Sequence, residues 1–168
     1  MEAHFYRVGI PADHMEKNHL KDLQERIGVT FADEKLLEIA FTHPSVKGNP
    51  ELGEAESYRR LEFLGDAVIR LVTSEELYKS SNGNVESLHN KREELVTNLV
   101  LEKVAETLNL REYIHGSGSR DVLNSQLVLA KIYEALTGAI FLDQGYQVAA
   151  NFVVRTLVRH IHNRPGSD

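Results

Sequence analysis

An all-helical fold is predicted by three observations. Apolar residues recur at three- and four-residue spacing along nearly the whole chain, strand-like alternation is scarce, and the interruptions fall at glycine, proline and serine-rich points. With 168 residues, of which 42% are apolar, the chain can bury the core of one ordinary domain without crosslinks.

The elements follow in order. Residues 1–18 read as an N-terminal arm, because the stretch mixes Glu2, Asp13 and Glu16 with Arg7 and lacks the apolar run of a signal peptide. Leu20, Leu23 and Ile27 mark a first short helix closed by Gly28. Asp33 is placed to cap a second, whose buried stripe is Leu36, Leu37, Ala40 and Phe41 and which Pro44 ends. Residues 47–53 read as a loop. A long helix is expected from about Ala55 to Lys79, with a break over Ser80 to Asn84. One further helical stretch carries Leu88, Leu95, Leu99, Val100 and Val104 and runs out near Leu110. Gly116, Ser117, Gly118 and Ser119 form a connector. Two helices finish the pattern, over residues 125–143 and 146–162, separated by the stop signal Gly145.

Composition narrows the function classes. There is no cysteine, so disulfides and thiolate zinc sites are excluded, and a reducing compartment, the cytoplasm, is expected. No apolar run approaches the roughly 20 residues needed to span a bilayer, so no membrane role is expected. A formal charge of −6 argues against a broadly basic surface for nucleic acid. Any nucleic-acid binding must be local, and acidic clusters bridged to phosphate by divalent cations are one such mechanism.

Two helices carry more than core. On a helical wheel of the long helix, Leu61, Leu64, Gly65, Val68 and Val72 share the core face, and Glu62 and Asp66 fall together on its flank. Like charges four apart cost a helix roughly 0.2–0.5 kcal/mol. Gly65 between them adds about 1 kcal/mol relative to alanine. One reading is a solvated acidic edge with a glycine that permits close helix packing; the other is a carboxylate pair whose repulsion a cation relieves. The helix over residues 125–143 is apolar around most of its circumference, through Val128, Leu129, Ile132, Tyr133, Ala135, Leu136, Ala139, Ile140, Phe141 and Leu142. Lys131 and Glu134 therefore need partners, since isolated charges on a buried helix are expensive. They either pair with each other, three apart, or Glu134 faces Glu62 and Asp66 as a third metal ligand.

The segment from Arg60 to Val68, Arg-Leu-Glu-Phe-Leu-Gly-Asp-Ala-Val, resembles the signature of the ribonuclease III family. Phe41 to Ser45 is similar to the turn before that signature, Asn90 to Asn98 to the helix after it, and Glu134 to Gly145 to the second catalytic segment. These matches run in family order through residues 19–163, leaving 164–168 as a tail. The resemblance implies an all-α endonuclease domain that forms a symmetric homodimer and cuts double-stranded RNA, leaving 5′-phosphate and 3′-hydroxyl ends during RNA processing. It implies Mg2+, with Mn2+ as a substitute, held by Glu62, Asp66 and Glu134, and no small-molecule cofactor. It makes Phe63 the residue that plugs a socket on the partner subunit. The family's usual C-terminal double-stranded RNA-binding domain does not follow within these residues.

Lys131 stands where the family pattern has aspartate, and Arg59 where it is usually acidic. A Lys-for-Asp change removes one negative charge from the cluster and adds a positive one, a net shift of two, and a charge pair about 5 Å apart is worth roughly 3 kcal/mol at an effective dielectric of 20. Weakened metal binding is expected, with an impaired nuclease serving as an RNA-binding or assembly module as the alternative. A counter-reading has Lys131 contribute electrostatically to catalysis. The eight histidines, His4, His14, His19, His43, His89, His115, His160 and His162, form no convincing ligand set. His160 and His162 read as favourable charges at a helix end, His43 as a turn residue before Pro44, and Asp143 as a cap or loop residue.

Overall fold

The computed structural model describes residues 17–45, 56–116 and 125–158. These hold seven α-helices: α1 (Lys17–Ile27), α2 (Glu34–Phe41), α3 (Arg59–Ser80), α4 (Val85–Leu95), α5 (Asn98–Thr107), α6 (Gln126–Gln144) and α7 (Tyr146–Val153). A 3-10 turn spans Leu110–Tyr113 and a π-turn Val154–Val158. Among the described residues there is no strand, only a single parallel bridge between Thr42 and His115. None of the helices is long and apolar enough to cross a membrane.

Local chemistry sets the boundaries. Leu20, Leu23 and Ile27 bury the inner face of α1, and Gly28 ends it at φ +65°, a left-handed conformation that glycine adopts freely. The Asp33 carboxylate accepts from the Lys35 N–H at 3.0 Å and caps α2, which buries Leu37, Ala40 and Phe41 while Leu36 stays half-buried. Asn84 caps α4 and Ser125 caps α6 in the same way. Gly145 turns the chain from α6 into α7 at φ +80°.

The core is organised around α6. It packs along α3, then α5, and is closed by α2 and α7. Every residue from Ile132 to Ile140 is buried, so an apolar circumference translates directly into a central position. Asp143 ties the end of this helix to the start of α2, accepting from the backbone N–H groups of Ala32 at 2.9 Å and Asp33 at 2.8 Å. Asp143, expected to be a cap or loop residue, lies in the last turn of α6, whose C-cap is Gly145, while Asp33 caps α2.

Three expectations are corrected. The stretch from Leu88 to Val104 is two helices: the Thr97 hydroxyl accepts from the Val100 N–H and starts α5, which breaks the chain after Val96. Leu99 and Leu142, counted with the apolar patterns, are more than half exposed. The last helix leaves α-geometry at Val154 for the π-turn. The expected loop at 47–53, the connector residues Ser117 to Ser119, and His4, His14, His160 and His162 lie outside the described residues.

Candidate active site

Two glycines make the site possible. A Cβ on Gly65 would lie 1.7 Å from the Glu134 carbonyl oxygen, and one on Gly138 would lie 2.3 Å from the Leu61 carbonyl oxygen. The backbones of α3 and α6 therefore touch at their crossing, which only residues without a side chain allow. The cost of Gly65 inside a helix is offset by this contact. Because Glu62 and Asp66 lie one turn apart beside the crossing, they are brought to Lys131 and Glu134 of α6. All four line one pocket of about 570 Å³, together with Arg59, Phe63, Arg70, Val96, Asn98 and Leu127.

Within the pocket the acids are not alike. The Lys131 ammonium lies 2.8 Å from Glu62 Oε1, with both side chains about one-fifth exposed. Glu62 Oε2 is buried without a hydrogen-bond partner and sits 3.9 Å from Arg59 Nε. Asp66 accepts from Arg70 Nε through both oxygens, at 3.0 and 3.1 Å. The same guanidinium reaches across to Glu93 of α4 at 3.0 Å, and Arg92 adds a second contact to Glu93 at 3.3 Å. Among the described residues Glu134 makes no ion pair. Burial first, then the charges of Asp66 and Glu62, push its carboxyl up to about 7, against the pull of Lys131 and Arg70. Burial and the Glu62 charge also push the Tyr58 hydroxyl up to about 12.

The four residues singled out from the sequence, Glu62, Asp66, Glu134 and Lys131, thus share one pocket, but the Lys131–Glu134 pair does not form. Lysine reaches across the crossing to Glu62 instead, leaving Glu134 buried in the pocket. Arg70 and Glu93 were missed. Arg70 follows Asp66 by four residues, a spacing that signals a helical ion pair, whereas Glu93 arrives from another helix and carries no local signal. The donor set does not fit a divalent ion as it stands. An ammonium contacts Glu62, a guanidinium covers both oxygens of Asp66, and among the described residues no three His, Asp or Glu side chains are placed to hold a metal ion.

Phe63 projects from α3 beside this pocket with 83% of its surface exposed. It also lines a second hollow, of about 680 Å³, whose other walls are Leu36, Ile39, Leu61, Leu64 and Leu142 with Ser57, Arg59 and Arg60. His43 is fixed in the turn before Pro44, its Nδ1 2.9 Å from the Ser45 hydroxyl. His115, which no sequence pattern singled out, lies 2.7 Å from the Thr42 hydroxyl through Nε2 and ties the two sides of the bridge together.

Comparison with known proteins settles the family. The family model described as Ribonuclease-III-like matches residues 33–161. The chain belongs to the ribonuclease-III-like family. Ribonuclease 3 of Leptospira interrogans is 35% identical over 149 residues, covering 86% of this chain and 60% of the relative. Ribonuclease 3 of Nitrobacter winogradskyi is 42% identical over 138 residues, covering 79% and 51%. The chain therefore spans between half and three-fifths of the length of these curated relatives. Among solved structures, a ribonuclease III nuclease domain from Campylobacter jejuni, described as flexible in a region involved in dimer formation, superimposes with a TM-score of 0.75. It is 31% identical, with 83% of this chain and 96% of that one covered. A second structure of that nuclease domain gives 0.74 at 30% identity, with 89% and 100% covered. The ribonuclease-III-like chain thus has the fold of such a nuclease domain over nearly all of that domain's length.

Proposed function

We propose that this ribonuclease-III-like chain is an endoribonuclease domain that hydrolyses double-stranded RNA as a symmetric homodimer, for RNA processing in the cytoplasm. The observation that carries the reading is the α3–α6 crossing, which brings Glu62, Asp66 and Glu134 into one pocket with Arg59, Arg70 and Lys131. A pocket with fixed cations beside acids matches what phosphodiester hydrolysis needs: positive charge where the phosphate gathers negative charge, and a group that moves a proton. In the proposed reaction water attacks phosphorus, the bond to the 3′ oxygen breaks, and that oxygen takes a proton, leaving 5′-phosphate and 3′-hydroxyl ends. Glu134 is the proton-carrying residue, because its carboxyl changes charge near neutral pH. Lys131 and Arg59 face the phosphate, and Arg70 holds Asp66 in place. The local cations also suit a chain with a formal charge of −6, which has no broad basic surface to offer. The Mg2+ or Mn2+ implied by the resemblance requires Glu62 to be freed from Lys131.

Phe63 and the adjoining hollow, apolar apart from Ser57, Arg59 and Arg60, provide a knob and a socket on the same chain, the arrangement an isologous two-fold interface needs. Two copies so related present two pockets to two antiparallel strands.

A second reading rests on the Lys131–Glu62 pair: with its acids neutralised, the domain binds or organises RNA without cutting it. Incubating the chain with duplex RNA and Mg2+, beside Glu134→Ala and Lys131→Asp, decides between them. Cleavage that Glu134→Ala abolishes supports the nuclease. Cleavage by Lys131→Asp alone makes the present chain a silent relative, and cleavage by none leaves the binding module.

A further inference from the structure

We propose that Lys131 is the resident cation of the pocket: its ammonium holds Glu62 where a divalent ion would otherwise be drawn, so the unaltered chain does not load Mg2+ or Mn2+ at this cluster. The inference rests on the proposed reading of the pocket as the reaction site, and it turns on which cation that site uses.

Three observations support it. The 2.8 Å contact between Lys131 Nζ and Glu62 Oε1 is shielded on both sides, so water weakens it less than it weakens a surface pair. Asp66 has no oxygen free of the Arg70 guanidinium, which is itself anchored on Glu93. The pocket holds three carboxylates, Glu62, Asp66 and Glu134, against three fixed cations, Arg59, Arg70 and Lys131, so an entering dication meets no net negative charge. To bind, it must displace an ammonium and then keep company with it in a partly desolvated space. Hard divalent ions select anionic oxygen ligands, and here one position that the family pattern gives to such a ligand carries the opposite charge.

The lysine replaces the charge of an ion but not its coordination. It donates from a single tetrahedral ammonium and cannot bridge several oxygens as an octahedral ion does.

The test counts ions and needs no RNA. Mn2+ is titrated into the full chain at constant ionic strength, and the free ion is followed by electron paramagnetic resonance. The unaltered chain is expected to bind too weakly to saturate over the titrated range. Lys131→Asp is expected to bind one Mn2+ per chain, with affinity roughly 10- to 100-fold above the unaltered chain, and to lose it when Glu134→Gln is added. Lys131→Gln is expected to fall between. Thermal unfolding with and without Mn2+ supplies a second readout, its midpoint rising only for the variants that bind. A saturable Mn2+ site in the unaltered chain that Glu62→Gln removes would overturn the inference, whether or not any lysine variant folds. Folded Lys131→Asp and Lys131→Gln that bind no better than the unaltered chain would overturn it too. Failure of the nuclease reading looks different, since it appears as absence of cleavage in every variant while the ion count stands on its own.

Discussion

Gly65 and Glu134 meet backbone to backbone, close enough that a Cβ on the glycine would fall 1.7 Å from the glutamate's carbonyl oxygen. No side-chain rotation relieves such an overlap, so Gly65→Ala must push α3 and α6 apart. Gly65→Ala and Gly138→Ala are each expected to cost about 3 kcal/mol or more, at or beyond the upper end for overpacked cores. Gly145→Ala, at φ +80° with open space around it, should cost only about 1–3 kcal/mol through backbone strain. Urea unfolding of the three variants checks the order. Equal losses would mean the crossing is looser than the geometry shows.

The Glu134 carboxyl, raised from 4.5 to about 7, makes stability depend on pH. The folded chain holds this proton more tightly than the unfolded chain does. The penalty for ionising it is therefore fully present above pH 7 and disappears as pH falls toward 4.5. The full difference is on the order of 3 kcal/mol. Glu134→Gln should be more stable than the unaltered chain at alkaline pH, and the two should converge in mild acid. Denaturant midpoints measured across that range give the answer, and parallel curves would place the titration elsewhere.

Phe63 should matter to assembly and little to folding, because 83% of it faces solvent in the single chain. Phe63→Asp is expected to leave the circular dichroism spectrum and unfolding midpoint nearly unchanged while shifting the sedimentation coefficient from dimer to monomer. A dimer that survives the change would move the interface away from this knob and hollow.

Asp143 binds two backbone N–H groups at the entry to α2. Charged hydrogen bonds of this kind contribute roughly 1.5–3 kcal/mol each, less where solvent competes. Asp143→Ala should lower stability by about 2 kcal/mol without touching the pocket. Asp143→Asn, which keeps one acceptor, should recover part of that loss.

Much of the fold was legible because burial follows period. Leu20, Leu23 and Ile27, and the largely apolar stretch from Ile132 to Ile140, show which faces are inside, and Asp33 and Gly145 end or start helices through local backbone chemistry. The break at Thr97 was not legible, since a threonine caps only when its backbone turns out of the helix, and the apolar spacing runs across it. At the site, Glu62, Asp66, Glu134 and Lys131 could be named in advance, but not who pairs with whom. The sequence spacing favoured Lys131 with Glu134, while the crossing at Gly65 and Gly138 brought Glu62 within reach of the ammonium. Glu93 could be found only in three dimensions, because its partner Arg70 lies on another helix.

Helix α4 buries no side chain, and Glu93 on it grips Arg70 beside the pocket. A segment with so little apolar anchorage opens locally at a small fraction of the global unfolding cost, and its amides will exchange with deuterium well before those of α6. Each opening releases the guanidinium from one of its two carboxylates. Breathing of α4 thereby sets how often Arg70 is held by Asp66 alone, and added salt, by loosening the Glu93 grip, will quicken that exchange.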